Sequence, residues 1–388
     1  MVTTTTTERL SPRIGVLTIA TFAVGTDAFV VNGVLPELSR SLDVSVGEAG
    51  QLVSVFAIAY AVLSPVLAAA TGNWPRRTVL LAALGVFVVG NAITALAPDY
   101  GLALASRVIA AAGAAAITPT ASTAAAALAS PERRGRAMSL VTLGLVSSTA
   151  LGVPIGTLLG SVASWRETMW LVAALGVVAG AGVALWLPPV PNPPATTLRA
   201  RLAPLRDRTI ALILTATVAM FIGIYLVTIY LSVIVEHATA GDGVRLTVLL
   251  FAAGVAGTIS NVVTGGWTDR FGPMRVITIA MALGALDFAL MPWTTATFAG
   301  ALIAVIAYGL ASWSVMVPQQ HQLIAAAPAT PSLVVSLNAS AIYLAVSLAG
   351  VLGAAALQLV PGPFLPWLAA LFLLVGLAAA WAAEKFKR

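Results

Sequence analysis

No cysteine occurs in the chain, and there are only two histidines, His237 and His321. Disulfides and thiolate sites are excluded, and no histidine-rich metal site can be assembled. Charge is scarce as well: 9% of residues are Asp, Glu, Lys or Arg while 59% are hydrophobic, where a soluble domain carries about 25% charged residues. So few charges cannot cover a water-facing surface. There is no Walker loop, metal-ligand cluster or nucleophile motif, so neither an enzyme nor a self-powered ATP pump is expected. The leading MVTTTTTERLSPR has no apolar stretch with a cleavage site and reads as a polar tail, not a removed signal.

Long apolar runs stand in place of what is missing. A span needs about 20 apolar residues. Twelve such segments are bounded by charges, Pro and Gly: 13–35, 48–71, 77–97, 100–129, 136–161, 167–188, 209–235, 245–267, 275–294, 297–324, 332–358 and 364–383. The expected fold is an all-α membrane protein with twelve transmembrane helices. With the N-terminus inside, Arg9, Arg13, Arg76, Arg77, Arg133, Arg134, Arg136, Arg199, Arg201, Arg206, Arg208, Arg270, Arg275, Lys385, Lys387 and Arg388 fall on the inner side. Only Arg40, Arg166 and Arg245 fall outside. Cytoplasmic loops carry the Lys/Arg excess, so both termini are expected in the cytoplasm. The formal charge of +6 is therefore a matter of topology. It points to a lipid bilayer, not to nucleic acid.

The longest polar break, PNPPATTLRARLAPLRDR, reads as an extended cytoplasmic linker. It divides the chain into a tail (1–12), an N-terminal six-helix bundle (13–190), the linker (191–208) and a C-terminal six-helix bundle with a short basic tail (209–388). A shift of 197 residues lays SLVTLGLVSSTALGVPIG on SLNASAIYLAVSLAGVLG, matching Ser139 to Ser336, Leu140 to Leu337 and Gly156 to Gly353. The same shift lays Gly72 on Asp269 and Pro75 on Gly272. One offset serving two places indicates an internal repeat, and hence two pseudo-symmetric bundles.

In TIATFAVGTDAFVVNGVLPEL (18–38), Asp27 stands in an apolar run with Asn32 five residues on. A carboxylate is kept in hydrocarbon only with a partner or a task. At ~1.5 Å per residue, Asp27 lies ~21 Å from Arg13 and ~9 Å from the outer face of a core about 30 Å thick. Arg107, seven residues past Tyr100, lies ~10 Å below that same face. The two share a depth. A neighbouring cation favours the ionised carboxylate and burial the neutral one, so a cavity that wets and dries would make this a proton-coupling pair. The alternative is a fixed ion pair that locks two helices.

Asp287, twelve residues past Arg275, falls near the midplane with no basic residue at its depth. It is a candidate substrate contact or second proton site, or else an acid hydrogen-bonded to a neighbouring helix. Asn32, Trp313, Asn338 and Tyr343 are further substrate-binding candidates, with interhelical bonding and aromatic packing as the alternatives. Asn338 and Tyr343, five apart, face different sides of one helix. In LGVPIGTLLG, Gly152, Gly156 and Gly160 recur every four positions on one face, with Pro154 as a kink; this spacing allows close helix packing. PQQHQL (318–323) reads as a solvated helix end, where Pro318 kinks or ends the helix, with an inner-gate role as the alternative. Glu236 and His237 read as interfacial.

Taken together, the residues resemble the major facilitator superfamily. Gly265, Asp269, Arg270, Gly272 and Arg275 of GGWTDRFGPMR match that family's Gly-x-x-x-Asp-Arg-x-Gly-x-x-Arg loop. GTDAFVVNGVLPELSRSL, LGVPIGTLLG and LNASAIYL look like the twelve-helix drug–proton antiporter branch, nearest its sugar-efflux-like and chloramphenicol-efflux-like members. The resemblance implies alternating access and export of small amphiphilic, drug-like molecules across the cell inner membrane in exchange for protons. It also implies no cofactor beyond the proton gradient, and a monomer whose partners are its substrate, protons and lipid. Arg76 and Arg77, with the Gly265–Arg275 set, become cytoplasmic gate loops, and the span-five glycines a seal against leakage. Two departures stand out: Gly72 replaces the family's Asp in the first-half loop, and Val153-Pro154 replaces its Gly-Pro pair. The alternative is a proton-linked or passive transporter of a sugar or other small metabolite. A mainly apolar cavity with one or two acids would suit neutral or cationic amphiphiles.

Overall fold

The computed structural model describes residues 12–130, 134–190, 203–328 and 331–386. The tail to residue 11, Arg133, linker residues 191–202 (Arg199 and Arg201 among them), Lys387 and Arg388 lie outside the described residues. Among the described residues, twelve helices are long and apolar enough to cross a membrane: Pro12–Ser41, Val46–Ala70, Arg76–Leu96, Tyr100–Leu128, Arg136–Val162, Trp165–Trp186, Arg208–Ile229, Gly243–Phe271, Pro273–Thr294, Phe298–Ala326, Leu333–Leu357 and Gly362–Phe386. They are numbered as spans one to twelve below. There is no strand among the described residues.

Helix starts follow from short polar side chains that satisfy the first-turn N–H groups. Span two opens on a capping box, Ser45 with Glu48. Asp99, Ser164, Asp207, Asp242 and Thr297 cap spans four, six, seven, eight and ten. Each cap stabilises its helix by about 1 kcal/mol. Tryptophans mark the two interfaces: Trp74, Trp186, Trp267 and Trp381 are exposed near the Arg-rich face, and Trp293 and Trp367 near the opposite one.

Three boundaries correct the sequence reading. Span one runs on through Pro36 to Ser41. Span seven stops at Ile229, and the chain continues through two short helices, Leu231–Ile234 and Glu236–Thr239, with Glu236 and His237 exposed as expected. GGWTDRFGPMR is not a loop. Its first seven residues are the last turns of span eight, and the turn is Gly272 alone, at φ +81°. A side chain there would meet the steric penalty of positive φ, so the position needs glycine.

Helices in lipid gain little from hydrophobic burial against one another, so close approach through small residues holds them. Spans one and five show this most fully. A Cβ at Gly152 would strike Thr26, one at Gly156 would strike Val30, and one at Gly160 would strike Val34. Reciprocally, Gly25 and Gly33 of span one lie against Ser148 and Thr157. Two rows, each with a four-residue repeat, are therefore meshed. Pro154 follows a π-helical turn, Ser148–Gly152, in which Val153 N–H reaches Ser148 O. That wider turn accommodates a residue with no N–H to donate.

The first six and last six spans meet toward the face opposite the arginines. Gly47 lies against Ala354, and Gln51 Nε2 donates to Gly350 O at 3.3 Å. The Tyr230 ring fills the space beside Gly50 and Gly353, and its hydroxyl donates to Gly350 O at 2.7 Å. Gly243 abuts Ser161, and Gly254 abuts the Thr149–Ala150 backbone. Toward the Arg-rich face, spans two, seven and eleven part around an apolar cleft that includes Ile58, Val62, Leu214, Leu337 and Leu344. This is an arrangement closed on one side and parted on the other.

Candidate functional site

Asp27 and Arg107 do meet. Both are fully buried, and Arg107 Nη1 donates to Asp27 Oδ1 at 2.6 Å. Nη2 donates to the Asp27 carbonyl at 3.1 Å. The second carboxylate oxygen is taken by Asn91, whose Nδ2 donates to Asp27 Oδ2 at 3.2 Å and to Phe87 O at 3.1 Å. Arg107 also lies 4.5 Å from the centroid of the Phe56 ring, which adds a cation–π contact in a dry site. A carboxylate, a guanidinium, an amide and an aromatic face thus form one compact cluster from spans one to four.

A central cavity of about 1230 Å³, its open mouth included, lies between spans one, five, seven, eight, ten and eleven. Phe29, Phe221, Tyr225, Tyr308, Trp313 and Tyr343 form aromatic walls, and Asn32, Thr149, Thr228 and Ser312 are among the polar groups. Thr228 and Tyr308 are hydrogen-bonded to each other through their hydroxyls. No Asp, Glu, Lys, Arg or His is present among the described lining residues.

The ion pair is not in the cavity wall, but aromatic rings lead from one to the other. Phe56 lies 6.4 Å from Tyr60, and Tyr60 stacks on Tyr343 at 3.7 Å, from span two to span eleven. Phe29 stacks on Tyr225 at 5.5 Å, from span one to span seven. Both stacks join the first six spans to the last six at mid-depth. Neither was read from sequence, because aromatics on apolar helices look alike whether they pack or line a cavity.

Of the sequence candidates, the structure brings Asn32, Trp313 and Tyr343 to the cavity and leaves two elsewhere. Asn338 is 1% exposed and accepts from Thr217 Oγ1 at 3.1 Å, so it joins spans seven and eleven instead. Asp287 is half-buried on span nine, away from the lining; its Oδ2 has no hydrogen-bond partner among the described residues. The expected acids of the cavity are therefore absent from its wall. PQQHQL is not a solvated end: Gln319 and Gln322 are buried, Gln319 Nε2 lies 3.4 Å from Met220 Sδ, and only His321 is exposed. The helix breaks at Ser314–Val315, where Pro318 would otherwise clash with the carbonyl four residues back. On the Arg-rich face, Arg77 Nη2 donates to Ala184 O at 2.6 Å, near the end of span six. Asp269, Arg270 and Arg275 are exposed, while Arg76 is buried.

The sequence profile of the Major Facilitator Superfamily matches residues 17–350. The chain belongs to the major facilitator superfamily. Its relatives include YbcL of Bacillus subtilis (strain 168), named an uncharacterized MFS-type transporter, at 29% identity over 95% of this chain and 94% of that one. A chloramphenicol resistance protein of Streptomyces lividans is 34% identical over 71% of this chain and 77% of its own. The crystal structure of the nucleoside transporter NupG superposes with a TM-score of 0.76 at 13% identity, covering 97% of this chain and 100% of NupG; that likeness speaks to the fold alone. As a member of the superfamily, this protein is a multi-pass membrane transporter and not an enzyme.

Proposed function

We propose that this transporter exports small, amphiphilic, drug-like compounds across the inner membrane in exchange for protons, with both termini in the cytoplasm. The halves are residues 13–190 and 209–388, which rock about the central cavity as a monomer. One observation carries the reading: a buried Asp27–Arg107–Asn91 cluster one aromatic relay from an apolar cavity. Both carboxylate oxygens of Asp27 are engaged while Arg107 and Asn91 face it. When the halves part on the outer side and the Tyr60–Tyr343 stack opens, Phe56 and Arg107 lose their backing, and Asp27 takes a proton from outside. Reclosure and inward opening re-form the pair and release that proton to the cytoplasm. The excess of arginines on one face supports this sidedness. The 34% identity to a chloramphenicol resistance protein supports a drug-like passenger. A sugar would need a more polar wall than this one.

The test is efflux in cells stripped of their own exporters. Wild type is expected to lower chloramphenicol accumulation, a protonophore to abolish that effect, and Asp27→Asn at matched expression to behave like cells without the transporter. Export by Asp27→Asn at the wild-type rate would move the coupling site elsewhere.

A further inference from the structure

Asn32 is the anomaly of the cavity. It is 2% exposed, and neither its Oδ1 nor its Nδ2 finds a hydrogen-bond partner among the described residues. The other asparagines buried inside the spans are engaged: Asn91 bonds Asp27 and a carbonyl, and Asn338 bonds Thr217. A buried amide whose hydrogen-bonding groups are unmet destabilises the fold. Leucine, of similar size, would fill the place at no such cost. Asn32 lies on the wall three residues beyond Phe29, on the same helical face, with the cavity before it.

The second half of the argument is charge. A cation or anion entering the cavity would leave water and meet no opposite charge among the described lining residues. Asp27 is not in the cavity wall, and in this conformation Arg107 and Asn91 already occupy both of its oxygens. Nor are the broad faces of Tyr225 and Tyr343 fully free for cation–π binding, since Phe29 and Tyr60 are stacked on them. We infer that Asn32 is the specificity-determining hydrogen-bonding group for an uncharged aromatic substrate bearing an amide, carbonyl or hydroxyl, and that permanent cations are excluded. An asparagine amide can donate and accept at once, which suits groups of that kind. This rests on the cavity being the transport site, but not on proton coupling.

The experiment is equilibrium binding to the purified full-length protein in lipid nanodiscs, with no gradient present. The probes are chloramphenicol, an uncharged nitroaryl amide with hydroxyls, and tetraphenylphosphonium, a cation of comparable bulk. Wild type is expected to bind chloramphenicol and not the cation. Asn32→Leu is expected to weaken chloramphenicol binding ~10-fold or more, because the ligand's polar group is then buried without its bond, and to melt no lower than wild type without ligand. Should Asn32→Leu fail to fold, Asn32→Ser decides by the same loss. The inference is overturned if either variant binds chloramphenicol like wild type, if the cation binds as well as chloramphenicol and competes with it, or if wild type binds neither. Intact, Asn32-dependent binding without proton-driven efflux would sink the export reading and leave this one standing.

Discussion

Arg107→Leu should leave little folded protein, and the pair Asp27→Leu with Arg107→Leu should bring the fold back without bringing back transport. Removing the guanidinium strands Asp27 in a fully buried site with only Asn91 bonded to its side chain. Breaking a fully buried ion pair from one side costs about 3–5 kcal/mol, because the survivor is an uncompensated charge. Replacing both members with apolar residues removes both desolvation penalties and is often neutral or better. The stability of the four proteins in the cycle, read as melting temperature in detergent, isolates the pair term. Efflux assays on the same four proteins then separate structure from function. If the double variant is as unstable as the single, the residues act through packing and not through each other. If it folds and still transports, the ion pair is a structural lock and the proton is carried elsewhere.

The second large effect is expected at the meshed face of spans one and five. Gly156→Val would place new carbons into Val30 and Thr168, with Gly152 and Gly160 fixed against Thr26 and Val34 above and below. Two rows in register cannot shift apart at one point without giving at the others. Over-packing in such sites costs about 1–3 kcal/mol and sometimes more. Gly265→Val is the matched control: it too lies within a long span, and a Cβ there meets nothing within 4 Å. Folded yield and melting temperature should fall for Gly156→Val and stay near wild type for Gly265→Val. Equal behaviour of the two would mean that the glycine row is not what holds the helices together.

What was legible in the sequence follows from what one-dimensional spacing can encode. Depth was legible: a helix rises a fixed distance per residue, so counting from Arg13 and from Tyr100 placed Asp27 and Arg107 together. The same count would have found Asn91, fifteen residues past Arg76 and hence ~22 Å in, level with Asp27. Direction around the helix was less legible. Asp287 has the right depth and the wrong face, and Asn338 turns to Thr217 because nothing in an all-apolar helix tells which side meets a neighbour. Helix ends were blurred for a related reason: Gly265 to Phe271 are polar enough to look like a loop, yet they continue the helix until Gly272 reverses the chain. The closed seal on the face opposite the arginines was out of reach, since it depends on Tyr230 meeting Gly350 and Gly353 from a different part of the chain.

The uncharged wall of the cavity has an electrical consequence. An ion pair sums to zero, and a neutral passenger leaves it so, whereas a proton carried on Asp27 does not. Each turnover that moves a neutral molecule outward and a proton inward transfers one positive charge across the bilayer. Under the proposed exchange, membrane voltage would drive export directly, at about 2.3 kcal/mol per 100 mV, and transport is expected to continue when the pH on the two sides is the same.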